Sequence, residues 1–468
     1  METERQRDRE TERQRDLGVC GSFGFSVYRS IGLSVYQFFF VLFGAVYLAV
    51  RLARGRELPG IRERLASYSP EVRERLARMD RPVWIHAVSV GEVLASRPLV
   101  EELRRRFPGK AWVVSTVTPT GREVAQKHLQ DSRTEVIYLP WDLGPVVGRA
   151  IKAVRPALFL SFETELWPVL FDKLGRAGIP VAVVNGRISP RAYRRYLWIR
   201  PLMQRALEPV GLFLTQSPQD ARRYAALGAA KDRIVVSGNM KWDLIPQVNG
   251  QMEKAQALRA AIGLTPGKRL WVAGSTHARE EFLILQAYSF VRRKFPELKL
   301  LLAPRHPERV VEIEQEVWAS SGEGWTSARY SSLKQNGSTG RTDAPIVILD
   351  TVGDLKDFYP IADIVFMGGS LVPHGGHNLV EPASFSRPIL SGPYLQNFQA
   401  ISELLLQAKG MLIVRTPKEI EEAVSRLLGS PAQARDLGLR AQAVFRENQG
   451  AVRRTADLIG LRWGRVLS

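Results

Sequence analysis

Cysteine is almost missing from this chain: Cys20 is the only one among 468 residues. No disulfide framework and no cysteine-based metal centre can form within it, and a reducing compartment suits such a composition. Acidic residues are also short. There are 47 Asp+Glu against 66 Lys+Arg, for a net charge of +19. A surplus of that size points to an anionic partner: nucleic acid, an acidic membrane face or a phosphorylated substrate. The cations are mostly arginines spread along the chain, with no basic tail interleaved with aromatics. No nucleic-acid partner is therefore expected. Several signatures are missing altogether. Without GxxxxGK(S/T) there is no P-loop. No GxGxxG follows the first strand pattern, which argues against a nicotinamide enzyme, and neither HExxH nor GxSxG occurs.

What is present is a normal globular balance, 45% apolar and 24% charged, with enough length for two large α/β domains or three smaller ones. Residues 1–19 repeat ETERQRD with alternating charge and read as a disordered charged tail. Residues 20–56 read as a membrane-anchor region. Its apolar span, 31–50, carries no charge and is followed by Arg51, Arg54 and Arg56. About 20 apolar residues cross a bilayer as a helix. Positive charge after the span predicts a membrane-anchored protein with its body on the cytoplasmic face. Tyr36, Gln37 and Tyr47 leave room for a helix lying in the interface instead.

From residue 80, short β-rich runs alternate with helical patterns. Seven candidate strands fall at 83–89, 112–118, 135–140, 157–163, 181–186, 212–217 and 234–238. Their nearly continuous apolar character predicts parallel strands buried on both faces. A pause at 244–256, with Pro246 and Gly250, reads as a hinge. Six more strands follow at 269–274, 298–304, 346–350, 364–369, 388–392 and 411–415, while the Ser/Gly-rich stretch 321–344 reads as a mobile loop. The expected fold is α/β: two Rossmann-like domains, 80–245 and 257–445, with a deep cleft between them, then a C-terminal helix over 446–468. That layout is called GT-B among glycosyltransferases, and it does not fix function by itself.

Ligands bind beyond the carboxyl ends of such strands, so the strand-to-helix junctions carry the candidates. In HAVSVGE, the strand ends near Ser89 and Glu92 opens a helix. Glu92 there is either a general base or a first-turn carboxylate complementing the helix dipole. In TVTPTGRE, Thr118, Thr120 and Gly121 suit either an anion or ordinary capping. In SFETELWP, Glu163 and Glu165 form a pair of acids. Arg187 ends the next strand, followed by Arg191, Arg194 and Arg195, a set suited to phosphate or to solvent. GNMKWD contributes Lys241 and Asp243 as a charged pair facing the hinge.

In the second half, AGSTHAREE offers Ser275 after a strand, with acids entering the next helix, and LAPRHPER offers Arg305 and His306. The most informative stretch is MGGSLVPHGGHNLVEPASFSRP. Gly368, Gly369 and Ser370 make a small turn suited to an anion. His374, Gly375, Gly376, His377 and Asn378 make a second turn, and a helix beginning near Asn378 places Glu381 one turn in. A phosphate at that helix start and a ribose diol on Glu381 would suit a nucleotide. His374 and His377 lack a third ligand at metal-binding spacing, so no metal and no cofactor is expected.

These segments together resemble the 3-deoxy-D-manno-oct-2-ulosonic acid (Kdo) transferases of Gram-negative lipopolysaccharide synthesis. HAVSVGE, FETELWP, NGRIS, GNMKWD, AGSTH, LAPRHPER and GGSLVPHGGHNLVEPA carry the resemblance in colinear order over residues 80 to 400. It implies a metal-independent inverting GT-B transferase with CMP-Kdo as donor and lipid IVA as acceptor, working at the inner-membrane surface. It further implies Glu92 as the base, with Arg305, the Gly368–Ser370 turn, Asn378 and Glu381 holding CMP. Ser275 and His306 join that donor set. Ser89, Thr118, Thr120, Gly121, Glu163, Arg187 and Lys241 are assigned to the acceptor or the donor carboxylate. Two other readings fit the same pattern: a GT-B enzyme using a UDP-sugar, and a membrane-tethered binding protein without turnover.

Overall fold

The computed structural model of the chain describes residues 32–46, 49–50, 53–55, 59–244, 251–320, 325–335 and 342–468. The chain divides into two compact units, residues 1–244 with 450–468, and residues 245–449. The charged tail at 1–19, the start of the anchor region and residues 245–250 of the expected hinge lie outside the described residues.

The first unit holds seven parallel strands: β1 (Val83–His86), β2 (Trp112–Thr116), β3 (Thr134–Tyr138), β4 (Leu158–Phe162), β5 (Val181–Gly186), β6 (Val210–Thr215) and β7 (Ile234–Val236). Their order across the sheet is β3-β2-β1-β4-β5-β6-β7. Alternate side chains enter two cores, one on each face: Trp84 and Phe159 on one side, Val83, Ile85 and Leu160 on the other. This is why the strands read as unbroken apolar runs. Truncating a fully buried ring such as Phe159 to alanine costs about 3–5 kcal/mol. Several helices start on a Ser or Thr cap followed by proline: Thr118 before Pro119–Leu129, Ser189 before Pro190–Trp198 and Ser217 before Pro218–Leu227. The hydroxyl takes an orphan amide, and proline needs none.

The last helix, Ala451–Leu467, returns to this unit. Ala451, Ala456, Ile459 and Trp463 join the core beside Leu99. Asp243 holds its start, accepting the amides of Gly450 at 2.6 Å and Val452 at 2.7 Å. The expected role of Asp243 as a cleft-facing charge is thus corrected: its carboxylate is a helix cap.

The membrane span expected over 31–50 is not supported by its described residues. Among the described residues no helix is long and apolar enough to cross a membrane. Residues 32–46 are helical, but one face is bound to protein. Leu33 is buried in the first unit's core, Tyr36 packs against it, and Gln37 Oε1 accepts the amide of Gly144 at 2.8 Å. A helix docked in this way cannot be ringed by lipid. Its other face exposes Phe38, Phe39, Val41, Leu42, Phe43 and Val46.

The second unit also holds seven parallel strands: β8 (Arg269–Thr276), β9 (Leu298–Pro304), β10 (Ser327–Arg329), β11 (Ile346–Ile348), β12 (Ile364–Met367), β13 (Ile389–Ser391) and β14 (Met411–Ile413). Their order is β10-β11-β9-β8-β12-β13-β14. The stretch 321–344, expected to be loop throughout, contains β10 and the helix Tyr330–Gln335. Strand order changes direction between β1 and β4 in the first sheet and between β8 and β12 in the second. Such switch points open a crevice at the carboxyl ends of the strands.

Candidate active site

At the first switch point, β1 delivers Glu92 and β4 delivers Glu163 and Glu165. Ser89 caps the helix Val90–Arg106, its Oγ accepting the Glu92 amide at 3.4 Å. The Glu92 side chain turns back, and Oε2 accepts the Val88 amide at 2.8 Å. That reciprocal arrangement is a helix cap in form, yet it also fixes the carboxylate beside two others. Burial pushes the Glu92 carboxyl up to about 7, with the charge on Glu163 adding to the rise and the Val88 amide opposing it. Glu165 is likewise pushed up to about 7, first by burial and then by the charge on Glu92. Two interacting carboxyls of this kind titrate as a pair.

Glu163 sits at φ +57°, a left-handed conformation that costs a non-glycine residue about 1 kcal/mol or more. Its amide bonds the carbonyl of Val184, and the Glu163 carbonyl accepts the Tyr224 hydroxyl at 3.2 Å. Those bonds hold the strained backbone and aim the side chain at Lys241, whose Nζ lies 3.4 Å from Oε1. Fully buried His86 stands behind, with Nε2 3.9 Å from Glu165 Oε2. Burial lowers its imidazole to about 4, so it is neutral near pH 7.

The remaining residues of this half take supporting or outlying places. Thr118 caps its helix through the Gly121 amide at 3.0 Å and donates to the Val88 carbonyl at 3.2 Å. A Cβ on Gly121 would meet that carbonyl at 3.0 Å. Thr118 and Gly121 therefore brace the loop that carries Glu92, and Thr120 is exposed. Arg187 is partly exposed at the end of β5, and its guanidinium has no ion-pair partner among the described residues. Arg191, Arg194 and Arg195 lie on an exposed face.

At the second switch point, the expected anion turn is already filled from within. Glu280 is completely buried and accepts four amides: His277 at 2.9 Å, Gly369 at 2.7 Å, Ser370 at 2.9 Å and Leu371 at 2.7 Å. The Gly368 amide bonds the Gly274 carbonyl. Ser370 is buried, donating to Met367 and accepting from Gly392. The Gly368–Ser370 turn thus has its anion in Glu280, and its amides are spent. Gly368 serves close approach: a Cβ there would lie 2.5 Å from the carbonyl oxygen of Ser275, itself at φ +55°.

The helix expected from Asn378 is a single turn, Val380–Ser384. Its first amide is taken by Asn378 Oδ1 at 3.1 Å, and Asn378 Nδ2 donates to Glu381 Oε1 at 3.1 Å. A one-turn helix has little dipole to offer a phosphate. Glu381 is mostly buried, which raises its carboxyl. Arg305 is exposed, and His306 is paired through Nδ1 with Glu308 at 3.2 Å. Around them stand three further histidines, His277, His374 and His377. Among the described residues no group of three or more His, Cys, Asp and Glu is arranged to hold a metal ion. Spacing alone did not single out His277 or Glu280, although STHAREE placed both after β8.

A family model described as 3-Deoxy-D-manno-octulosonic-acid transferase (kdotransferase) matches residues 60–244. The chain is 35% identical, over 84% of its length and 93% of the relative's, to the 3-deoxy-D-manno-octulosonic acid transferase of Haemophilus influenzae. It is 29% identical, over 82% and 88%, to the protein of that name from Bordetella pertussis. Among solved structures, the UDP-GlcNAc 2-epimerase of Neisseria meningitidis aligns with a TM-score of 0.53 at 11% identity, over 82% of this chain and 100% of that one. The last likeness speaks to fold alone.

Proposed function

The chain belongs to the 3-deoxy-D-manno-octulosonic acid transferase family, a family of glycosyltransferases, and on that premise we propose that it moves Kdo from CMP-Kdo to lipid IVA. In this reading Glu92 is the general base. It takes the proton of an acceptor sugar hydroxyl as the oxygen attacks the anomeric carbon, with inversion, and CMP leaves. A base works best when its pKa lies near the working pH. The observation that carries the reading is the place of Glu92 at the first switch point, its carboxylate held by the Val88 amide at 2.8 Å near Glu163 and Lys241, where burial raises its carboxyl toward neutrality.

The second unit supplies the donor pocket. Arg305 brings an exposed cation for the leaving phosphate, and Glu381 with Asn378 offers acceptors to the ribose diol. Fixed positive charge stabilises a departing phosphate in the transition state. On the first unit, Lys241 and Arg187 are the groups for a donor carboxylate or the acceptor's phosphates.

The acceptor's lipid character fits a protein working on the cytoplasmic face of the inner membrane. The exposed Phe38, Phe39 and Phe43 would rest among lipid headgroups rather than span the bilayer, aided by the net charge of +19.

Mass spectrometry of lipid IVA incubated with CMP-Kdo and the full chain is the test. A product heavier by one or more Kdo residues is expected. Unchanged lipid IVA, or protection from heat by UDP but not by CMP, would remove the proposal.

A further inference from the structure

Four of the six histidines of the chain gather at one place in the second unit. His277 follows β8, His306 follows β9, and His374 and His377 follow β12; the three strands are neighbours in the sheet. The rings of His277 and His377 are coplanar to within 1°, and their Nε2 atoms are 2.8 Å apart. His374 stacks on His277 at 4.1 Å and 17°, and His306 meets the same ring edge-on at 5.8 Å. Gly369 makes room for the pair: a Cβ there would lie 2.8 Å from the His377 ring and 3.5 Å from that of His277.

Two imidazole nitrogens at that separation share one proton. One ring donates through Nε2–H, and the other accepts and keeps its own proton on Nδ1. The charged groups facing the pair come from three segments. Arg305 and His306 face it from the loop after β9, with Glu308 on His306. His374 faces it from the loop after β12. Behind His277, the Glu280 carboxylate is occupied by four amides. Burial, the neighbouring rings and Arg305 hold both imidazoles down to about 4. The pair is uncharged near neutrality until an anion arrives, and an opposite charge within ~5 Å raises an imidazole pKa by about one to three.

We infer that the His277–His377 pair is a proton-coupled receptor for the phosphate dianion of a nucleoside monophosphate, with His374 and His306 as its walls and Arg305 as its fixed cation. The proton comes from solvent and goes to the free Nδ1 of the donating ring. The imidazolium so formed still donates through Nε2 to its partner, now as a stronger charge-assisted bond. No bond is lost. A phosphodiester carries one negative charge and a monoester nearly two at pH 7. The pair therefore responds most to the free nucleotide that departs after transfer. This inference rests on the donor reading above.

Titration calorimetry of the full chain with CMP at pH 7.5, in Tris and in Pipes, reads the proton directly from the difference in heats. We expect uptake of up to about a quarter of a proton per CMP, and an affinity that rises up to about twofold as the pH falls from 8.5 to about 7.0. In His277→Gln and His377→Gln, CMP binds more weakly, uptake falls to near zero and the pH dependence flattens. Equal observed heats in the two buffers, or uptake that persists in both variants, would overturn the inference while leaving the donor reading intact. CMP that fails to bind the unaltered chain would overturn both.

Discussion

Glu280 Oε1 accepts the amide of Ser370 at 2.9 Å across 90 positions of sequence. With three more amides on the same carboxylate, this side chain fastens the loop after β12 to the loop after β8. A hydrogen bond to a charged group contributes about 1.5–3 kcal/mol, and a buried donor left without an acceptor costs a similar amount. Glu280→Gln replaces one accepting oxygen by an amide NH2 group that faces donors. The variant is expected to lose about 2–4 kcal/mol in urea unfolding and to weaken CMP binding. Wild-type stability in this variant would show that the four amides do not need the charge.

Glu92→Gln keeps an oxygen for the Val88 amide but cannot accept a proton. Transfer is expected to drop by about 10²–10⁴ while the melting temperature at pH 7.5 holds or rises. For the unaltered chain, kcat/KM should climb with pH and level off above about 7, because the base works only when deprotonated. A flat profile from pH 6 to 8, or a variant with full turnover, removes Glu92 as the base.

Glu165 yields a stability prediction whose sign is fixed by its raised carboxyl. The folded chain binds this proton more tightly than the unfolded chain, so stability is greatest at low pH and declines as pH rises from about 4.5 to about 7. Glu165→Gln lifts that loss. It should be more stable than wild type at pH 8, by on the order of 1 kcal/mol, and show no gain at pH 4.5. It should also shift the Glu92 midpoint in kcat/KM downward, since one negative neighbour is gone. Thermal melts at the two pH values decide the first point.

Asp243→Ala frees the amides of Gly450 and Val452. The cost should be about 1–3 kcal/mol, seen as earlier unfolding of the first unit and faster exchange of amide hydrogens along Ala451–Leu467. Asp243→Asn, which retains one acceptor, should recover part of it. An unchanged exchange pattern would mean the helix is held by its apolar face alone.

Much of the fold is legible in the sequence, because its signals are local. Runs such as VWIH, LFLSF and VAVVNG announce strands buried on both faces, and Ser-Pro or Thr-Pro steps announce helix starts. The short edge strand Ser327–Arg329 is hidden by its polarity and its Ser/Gly-rich surroundings. The first half of the site follows from β-strand ends: Glu92, Glu163 and Lys241 do come together. The second half misleads at two points. GGS looks like a receptor for an outside anion, but Glu280 arrives from 90 residues away. HNLVE looks like a helix start for a phosphate, but Asn378 takes the first amide itself. The pairing of His277 with His377 spans 100 positions, and no spacing rule reaches that far.

The grip of Asp243 on Gly450 has a bearing on synthesis. The residues on either side of the second unit are held together, so 205 residues, 245–449, are looped out from one spot on the first. A ribosome making this chain releases β1 to β7 early, yet the helix that packs beside Leu99 emerges only after the second unit. The unit translated first is therefore completed last, and until then the part of its apolar face that Ala456, Ile459 and Trp463 cover, beside the helix Val90–Arg106, needs shelter.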